Sequence, residues 1–206
     1  MSVDVRAKLA EKGITLPVAT KPLAAYVPAV RTGNIVFTAG QLPMVDGAIA
    51  KTGKVGADVS VEEAYELAKI CAINALAAVE LVAPVDSIVK VVRIVCYVNG
   101  AAGFVSQPAV ANGASELFMH IWGDAGVAAR SALGVAELPL NSPVEVELTV
   151  EVALKAITYR AYLSVLGLLL ILRDHQGATI RDLQSQRVLY LQFRVMRQRA
   201  EQVLLV

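Results

Sequence analysis

The sequence predicts an α+β fold, a mixed sheet with two helices on one face, and three observations carry that expectation. Ser60-Val61-Glu62-Glu63 is a capping-box pattern, and behind it Ala64, Leu67, Ala68, Cys71, Ala75, Leu76 and Val79 recur at helical spacing. Val144, Val146, Leu148, Val150 and Val152 alternate with Glu145, Glu147, Thr149 and Glu151, a period of two that marks a strand with one covered face. Between them stand a nearly continuous apolar run, Ile88 to Val98, and a second helical pattern, Val110 to Trp122. The order reads strand pair, helix, strand, helix, strand pair.

Taken from the N-terminus, Ser2 can cap a short helix that ends near Lys12, with Gly13 placed to take the left-handed conformation after it. Asn34 to Thr38 is a β-rich run ending at Gly40, and Val55 to Val59 adds a strand fragment after the Asp46-Gly47 turn signal, so the opening reads as a hairpin. Residues 61–82 are predicted helical, and the small residues on the buried face suit close packing on a sheet. Ile88 to Val98, interrupted by Lys90 and Arg93, is expected to be the central strand. Gly100 and Gly103 mark a loop, and they make no phosphate loop because the Lys-Ser/Thr that would complete one is absent. In the second helix Ala114, Leu117, Phe118 and Ile121 face inward, and Gly123-Asp124-Ala125-Gly126 ends it. His120 and Trp122 read as packing or interface residues, with no nucleophile beside them. Two strands follow, Ala132 to Leu138 and Val144 to Val152, separated by Pro139 to Pro143.

Beyond Leu154 the character changes. The first 154 residues hold 11 Lys+Arg and 15 Asp+Glu, a net of −4, whereas residues 155–206 hold 8 and 3, a net of +5. The overall +1 hides a polarised chain. Both apolar and basic parts of 155–206 are read as helix, either a hairpin docking on the domain or a sequence foreign to it, such as a fusion or read-through product. The most apolar run, Ala161 to Leu172, is shorter than the roughly 20 residues a membrane helix needs. With no secretory signal at Met1 to Leu9, a cytoplasmic protein without a membrane partner is expected. Hydrophobic residues make up 56%, above the roughly 45–50% of ordinary soluble domains, which points to a buried subunit interface, an apolar appendage or both. Cys71 and Cys96 are isolated and there are only two histidines, so no metal site is indicated and both thiols are expected to pack as small apolar groups.

The chemistry is concentrated at residues 130 to 147, Arg-Ser-Ala-Leu-Gly-Val-Ala-Glu-Leu-Pro-Leu-Asn-Ser-Pro-Val-Glu-Val-Glu. An arginine offers a rigid, permanently charged fork that matches a carboxylate, and a nearby glutamate can take a proton from water. Without further information, Arg130 could equally be a surface residue opening a strand, and Glu145, Glu147 and Glu151 a solvated edge. The segment resembles the C-terminal signature of the reactive intermediate deaminase family (RidA, also called YjgF or L-PSP endoribonuclease): arginine, small residues, an apolar strand, Leu-Pro, then apolar-Glu-apolar-Glu. The run from Ala25-Tyr26 through Gly33-Asn34 to Thr38-Ala39-Gly40-Gln41-Leu42-Pro43 is similar to the same family's opening motif, and the likeness spans residues 14 to 153.

That resemblance implies a chorismate-mutase-like fold, assembled as a homotrimer around a barrel of sheets with clefts between subunits. It further implies that Arg130 pairs with a substrate carboxylate and that Glu145 orients or activates the hydrolytic water. By the same likeness Tyr26 reaches the site from a neighbouring chain, the Gly40 backbone approaches the ligand, and Asn112 lies near the cleft. A helix cap is the plain alternative for Asn112, and packing for Tyr26. Two departures stand out: Ala132 replaces a cysteine that many members carry two residues after the arginine, and Ala39 replaces a serine.

In a plain hairpin turning at 139–143, Arg130 would lie several rungs from Glu145, so the two could meet only through irregular pairing or across a subunit boundary. The implied activity is hydrolysis of small enamine or imine acids such as 2-aminoacrylate to a 2-keto acid and ammonia, with no metal or organic cofactor. A non-catalytic trimer binding a small carboxylate, or serving as a scaffold, is the rival, which the alanines at 39 and 132 favour. A nucleic-acid partner is not expected, because the first 154 residues are acidic and aromatics make up only 5%.

Overall fold

The computed structural model describes residues 3–19 and 25–153; Ser2 and the helical reading of 155–206 lie outside them. In chain order the elements are α1 (Val5–Ala10), β1 (Ala29–Thr32), β2 (Ile35–Thr38), β3 (Met44–Val45), β4 (Ala48–Ile49), α2 (Val61–Glu80), β5 (Ile88–Asn99), α3 (Gln107–Trp122), β6 (Ala129–Val135) and β7 (Val144–Val152). Five strands form one mixed sheet in the order β1-β2-β7-β5-β6, and β3 and β4 form a separate hairpin turning at Asp46-Gly47.

The capping box at α2 is realised in full. Ser60 Oγ accepts from the Glu63 amide at 3.1 Å, and the Glu63 carboxylate accepts from the Ser60 amide at 2.8 Å. Its buried face is rich in alanine, including Ala64, Ala68, Ala72 and Ala75, which lets α2 lie close to β7 and α3. At α1 the cap is Asp4, whose carboxylate accepts from the Ala7 amide at 2.9 Å, and the helix is shorter than expected from Ser2. Asp4 has the right offset because Val5 and Leu9, one turn apart, must both face the core. Gly13 takes the expected left-handed conformation (φ 69°).

Three further expectations are corrected. Val55 to Val59 is no strand: Val55 makes only isolated bridges to Val59 and Gly100, and the N-terminal hairpin is β1 with β2. The central strand is β7, flanked by β2 and β5, while β5 lies between β7 and β6. Nor do β6 and β7 form a hairpin. Strand β6 runs parallel to β5 with α3 as the crossover, and β7 returns antiparallel on the far side of β5. An apolar strand such as β5 is stable only when both its edges and one full face are covered, and this arrangement supplies a neighbour on each edge.

The alternation of β7 separates the two faces of the sheet. Val144, Val146, Leu148, Val150 and Val152 are buried beneath the helices with Ile88, Val91, Ile94, Cys96 and Val98 of β5. Large side chains in this layer, such as Leu76, Phe118 and Leu148, each contribute on the order of 1.5–3 kcal/mol by leaving water. Glu145, Glu147, Thr149 and Glu151 project from the opposite face, beside Tyr97, Val95 and Arg93 in register.

The α2–α3 crossing depends on Gly113. A Cβ there would stand 1.9 Å from the Tyr65 carbonyl oxygen, so backbone meets backbone with no flexible atom to yield. Gly113→Ala is therefore expected to destabilise the protein by about 1–3 kcal/mol, read as a lower urea midpoint with unchanged slope.

Candidate functional site

Arg130 lies inside β6 rather than at its start, paired in register with Ile94. The strand begins earlier than expected because the parallel ladder with β5 recruits Ala129 and Arg130. It ends earlier because Lys54 Nζ takes the Ala136 carbonyl at 2.7 Å. By that register Arg130 shares the helix-covered face with Leu148, and its side chain reaches α3. There Arg130 Nη1 donates to Asn112 Oδ1 at 2.8 Å and to Ser115 Oγ at 3.0 Å. Arg130 is nevertheless exposed, because β6 is the sheet edge, and among the described residues no carboxylate lies within ion-pair distance of it.

Glu145 sits on the other face, opposite Tyr97. Between β2 and β7 the ladder is irregular: Phe37 pairs with Thr149, the Thr38 hydroxyl accepts the Leu148 amide at 3.0 Å, and Gln41 resumes pairing with Val146. Thr38, Ala39 and Gly40 thus oppose only Leu148 and Glu147, a bulge that brings Gly40 against Glu145. A Cβ on Gly40 would stand 1.6 Å from Glu145 Oε1, so only glycine leaves room for the carboxylate in this position. Burial, and secondarily the like charge of Glu147, push the Glu145 carboxyl above the usual carboxylate range. The Tyr97 phenol is pushed up as well, by burial first and then by Glu147.

The connection from β6 to β7 is fixed by a polar network. Lys54 Nζ donates to Asn99 Oδ1 at 2.7 Å, and the fully buried Asn99 donates from Nδ2 to the Ser142 carbonyl at 3.2 Å. Leu140 and Asn141 both adopt positive φ (56° and 52°), and the Asn141 carbonyl accepts the Gly53 amide at 2.9 Å. This ties the start of β7, and with it Glu145, to the end of β5.

The structure brings together only part of the predicted set. Arg130 and Asn112 are in direct contact, and Gly40 lies against Glu145. Arg130 and Glu145 are separated by β5 and project from opposite faces, two strand spacings or roughly 10 Å apart before rung offset. Tyr26, 53% exposed, precedes β1 at one edge of the sheet, and Arg130 occupies the other, four spacings or roughly 19 Å away. Ala132, next to Cys96 in register, packs on the core margin. Glu147 and Glu151 are not on an edge strand, and Glu151 accepts from Asn34 Nδ2 at 2.7 Å.

The motifs did not reveal Ser115 or Tyr97. Ser115 follows Asn112 at helical spacing, the signal that could have found it; Tyr97 is visible only through register.

Cys71 and Cys96 are buried, their thiols pushed up by desolvation, Cys96 to about 12. They pack as expected rather than react. A cleft of about 320 Å³ between Val18, Met44 and Asn74 contains none of the predicted site residues. Among the described residues, no helix is long and apolar enough to cross a membrane.

Comparison with known proteins bears on the same 150 or so residues. The family described as "YjgF/chorismate mutase-like, putative endoribonuclease" matches residues 6–152. Protein TCP17 of Trypanosoma cruzi is 38% identical over 149 residues, covering 71% of this chain and 93% of that protein. The crystal structure of Atu1372 from Agrobacterium tumefaciens, a protein of unknown function, is 42% identical with a TM-score of 0.67, covering 72% of this chain and 92% of the other. A Shewanella oneidensis structure, named as a "putative endoribonuclease", is 29% identical with a TM-score of 0.69, covering 72% and 99%. With both motifs in order, the mixed sheet carrying its helices on one face, and a family match across residues 6–152, the chain belongs to the YjgF/chorismate mutase-like family.

Proposed function

We propose that residues 1–154 form a domain that hydrolyses small 2-enamino or 2-imino acids to the 2-keto acid and ammonia, at clefts between the subunits of a homotrimer. The observation that carries this reading is the state of Arg130: an exposed guanidinium, held on one nitrogen by Asn112 and Ser115, with no carboxylate beside it among the described residues. A cation so placed suits a planar anion arriving from outside the protomer. The distances within one chain support a composite site. Tyr26, Glu145 and Arg130 cannot share a small ligand in a single protomer, but the β6 edge of one copy and the β1–β2 side of the next can face each other.

In this reading Arg130 holds the substrate carboxylate. Water attacks the electrophilic imine carbon, and Glu145 takes a proton from it as the C–O bond forms. The same carboxyl then protonates the imine nitrogen to give the carbinolamine. The carbinolamine's hydroxyl proton passes through Glu145 to the nitrogen as the C–N bond breaks and the C=O bond forms, so that ammonia leaves with the keto acid behind. A carboxyl raised above its usual range serves both steps better than an ordinary one, since it holds the proton longer between them. Tyr26 closes the cleft. No step calls on a metal or organic cofactor.

The rival reading, a non-catalytic trimer that binds a small carboxylate or acts as a scaffold, is favoured by Ala39 and Ala132, which offer neither hydroxyl nor thiol. Ribonuclease action fits less well, because the domain carries 15 acidic against 11 basic residues.

The deciding experiment follows pyruvate release from enzymatically generated 2-aminoacrylate. Intact protein is expected to accelerate it. Arg130→Ala, losing two charge-assisted bonds of about 1.5–3 kcal/mol each, is expected to reduce kcat/KM at least about 100-fold. No acceleration by intact, folded protein would favour the binding reading.

Glu145→Gln should lower kcat by about 10²–10⁴-fold while raising the thermal midpoint at pH 7. Because the folded-state pKa is raised, ionised Glu145 opposes folding, fully above that pKa and not at all well below the ordinary value of 4.5. The midpoint gain should therefore vanish as the pH falls below 4.5, and a gain constant from pH 4 to 7 would refute the assignment.

A further inference from the structure

We infer that Asn112 and Ser115 are positioning residues that decide which edge of Arg130 receives the substrate carboxylate. The inference rests on the proposed carboxylate-binding role of Arg130 and deepens it. Nη1 of a guanidinium carries two hydrogens, and here Asn112 Oδ1 at 2.8 Å and Ser115 Oγ at 3.0 Å take both. Three N–H groups remain, one on Nε and two on Nη2. A carboxylate can engage a guanidinium through two parallel bonds on either of two edges, Nη1 with Nη2 or Nε with Nη2. With Nη1 committed to α3, only the Nε–Nη2 edge offers both donors.

The two acceptors sit three residues apart on one helix face, so a single rigid element presents them together. Helix α3 is itself immobilised: Val110, Ala111, Ala114 and Phe118 are buried against the sheet and α2, and Gly113 brings its backbone against Tyr65. The guanidinium of an exposed edge-strand arginine would otherwise sample many rotamers, at a cost in side-chain entropy on binding. Anchoring one nitrogen in advance removes part of that cost and fixes the plane of the fork. The ligand class follows: a planar carboxylate, lying side-on to Arg130, with the carbon to be hydrated directed away from α3. Asn112 and Ser115 act through Arg130 and do not touch the substrate.

The test compares Arg130→Ala, Ser115→Ala, Ser115→Thr and Asn112→Ala in the full chain. It uses 2-aminoacrylate turnover together with calorimetric binding of pyruvate, a simple 2-keto carboxylate. Ser115→Ala is expected to weaken pyruvate binding and raise KM by a similar factor, about 3–10-fold, with the larger share of any loss in KM rather than kcat. Ser115→Thr, which keeps the hydroxyl, should restore both. Asn112→Ala should act in the same direction. The inference is overturned if Ser115→Ala lowers kcat and the thermal midpoint while leaving pyruvate affinity intact, or if threonine fails to rescue. It is also overturned if the intact protein binds no pyruvate in an Arg130-dependent manner. Pyruvate binding that follows the expected order without any turnover would remove the deaminase reading and leave the positioning role standing.

Discussion

The alternation of β7 is the constraint on which the rest of the structure depends. As the central strand it pairs antiparallel with β2 on one side and β5 on the other, so its period of two is imposed on both neighbours. Five apolar side chains on one face call for a cover, which α2 and α3 supply. Among the described residues no helix covers the acidic face, whose carboxylates are half-buried. A slip of one residue would bury Glu145, Glu147 and Glu151 beneath the helices, where carboxylates without cationic partners are strongly disfavoured. Register, helix placement and the location of the acidic groups are thus one decision.

From this partition it follows that the residues of the proposed site do not meet within one chain. The residues with chemical potential are spread over two faces and two edges: Arg130 on β6 under α3, Glu145 on the open face, Tyr26 ahead of β1. Each has its own local support. Asn112 and Ser115 hold Arg130, Gly40 makes room for Glu145, and the Lys54–Asn99 network holds the connection that leads into β7. Such separate support is what a composite site between copies requires, because each half must be ordered before the other arrives. The exposed apolar residues Val30, Phe37 and Leu133 lie along the same open face or edges, on the surface that the proposed assembly would cover.

Much of the fold was legible in the residues. The capping box located α2, the alternating valines located β7, and Cys71 and Cys96 read correctly as packing groups. The errors share a cause. The cap of α1 and the extent of β6 were set by partners distant in sequence: the core that receives Val5 and Leu9, the β5 ladder, and the Lys54 ammonium. The hairpin assumed for β6 and β7 failed for the same reason, since a short connection between two strands does not reveal that a third lies between them.

The sequence by itself determined the fold class, because periodicity and capping are local properties, and its resemblance to a known family singled out Arg130, Glu145, Tyr26, Gly40 and Asn112 as residues to examine. Only the tertiary structure decided that β5 separates Arg130 from Glu145, that Asn112 and Ser115 contact the arginine, and that Gly40 abuts the glutamate. Those relations depend on which strand pairs with which, and in what register. Strand pairing is settled by burying apolar surface and satisfying backbone hydrogen bonds over the whole sheet at once, a condition no short segment of sequence encodes alone.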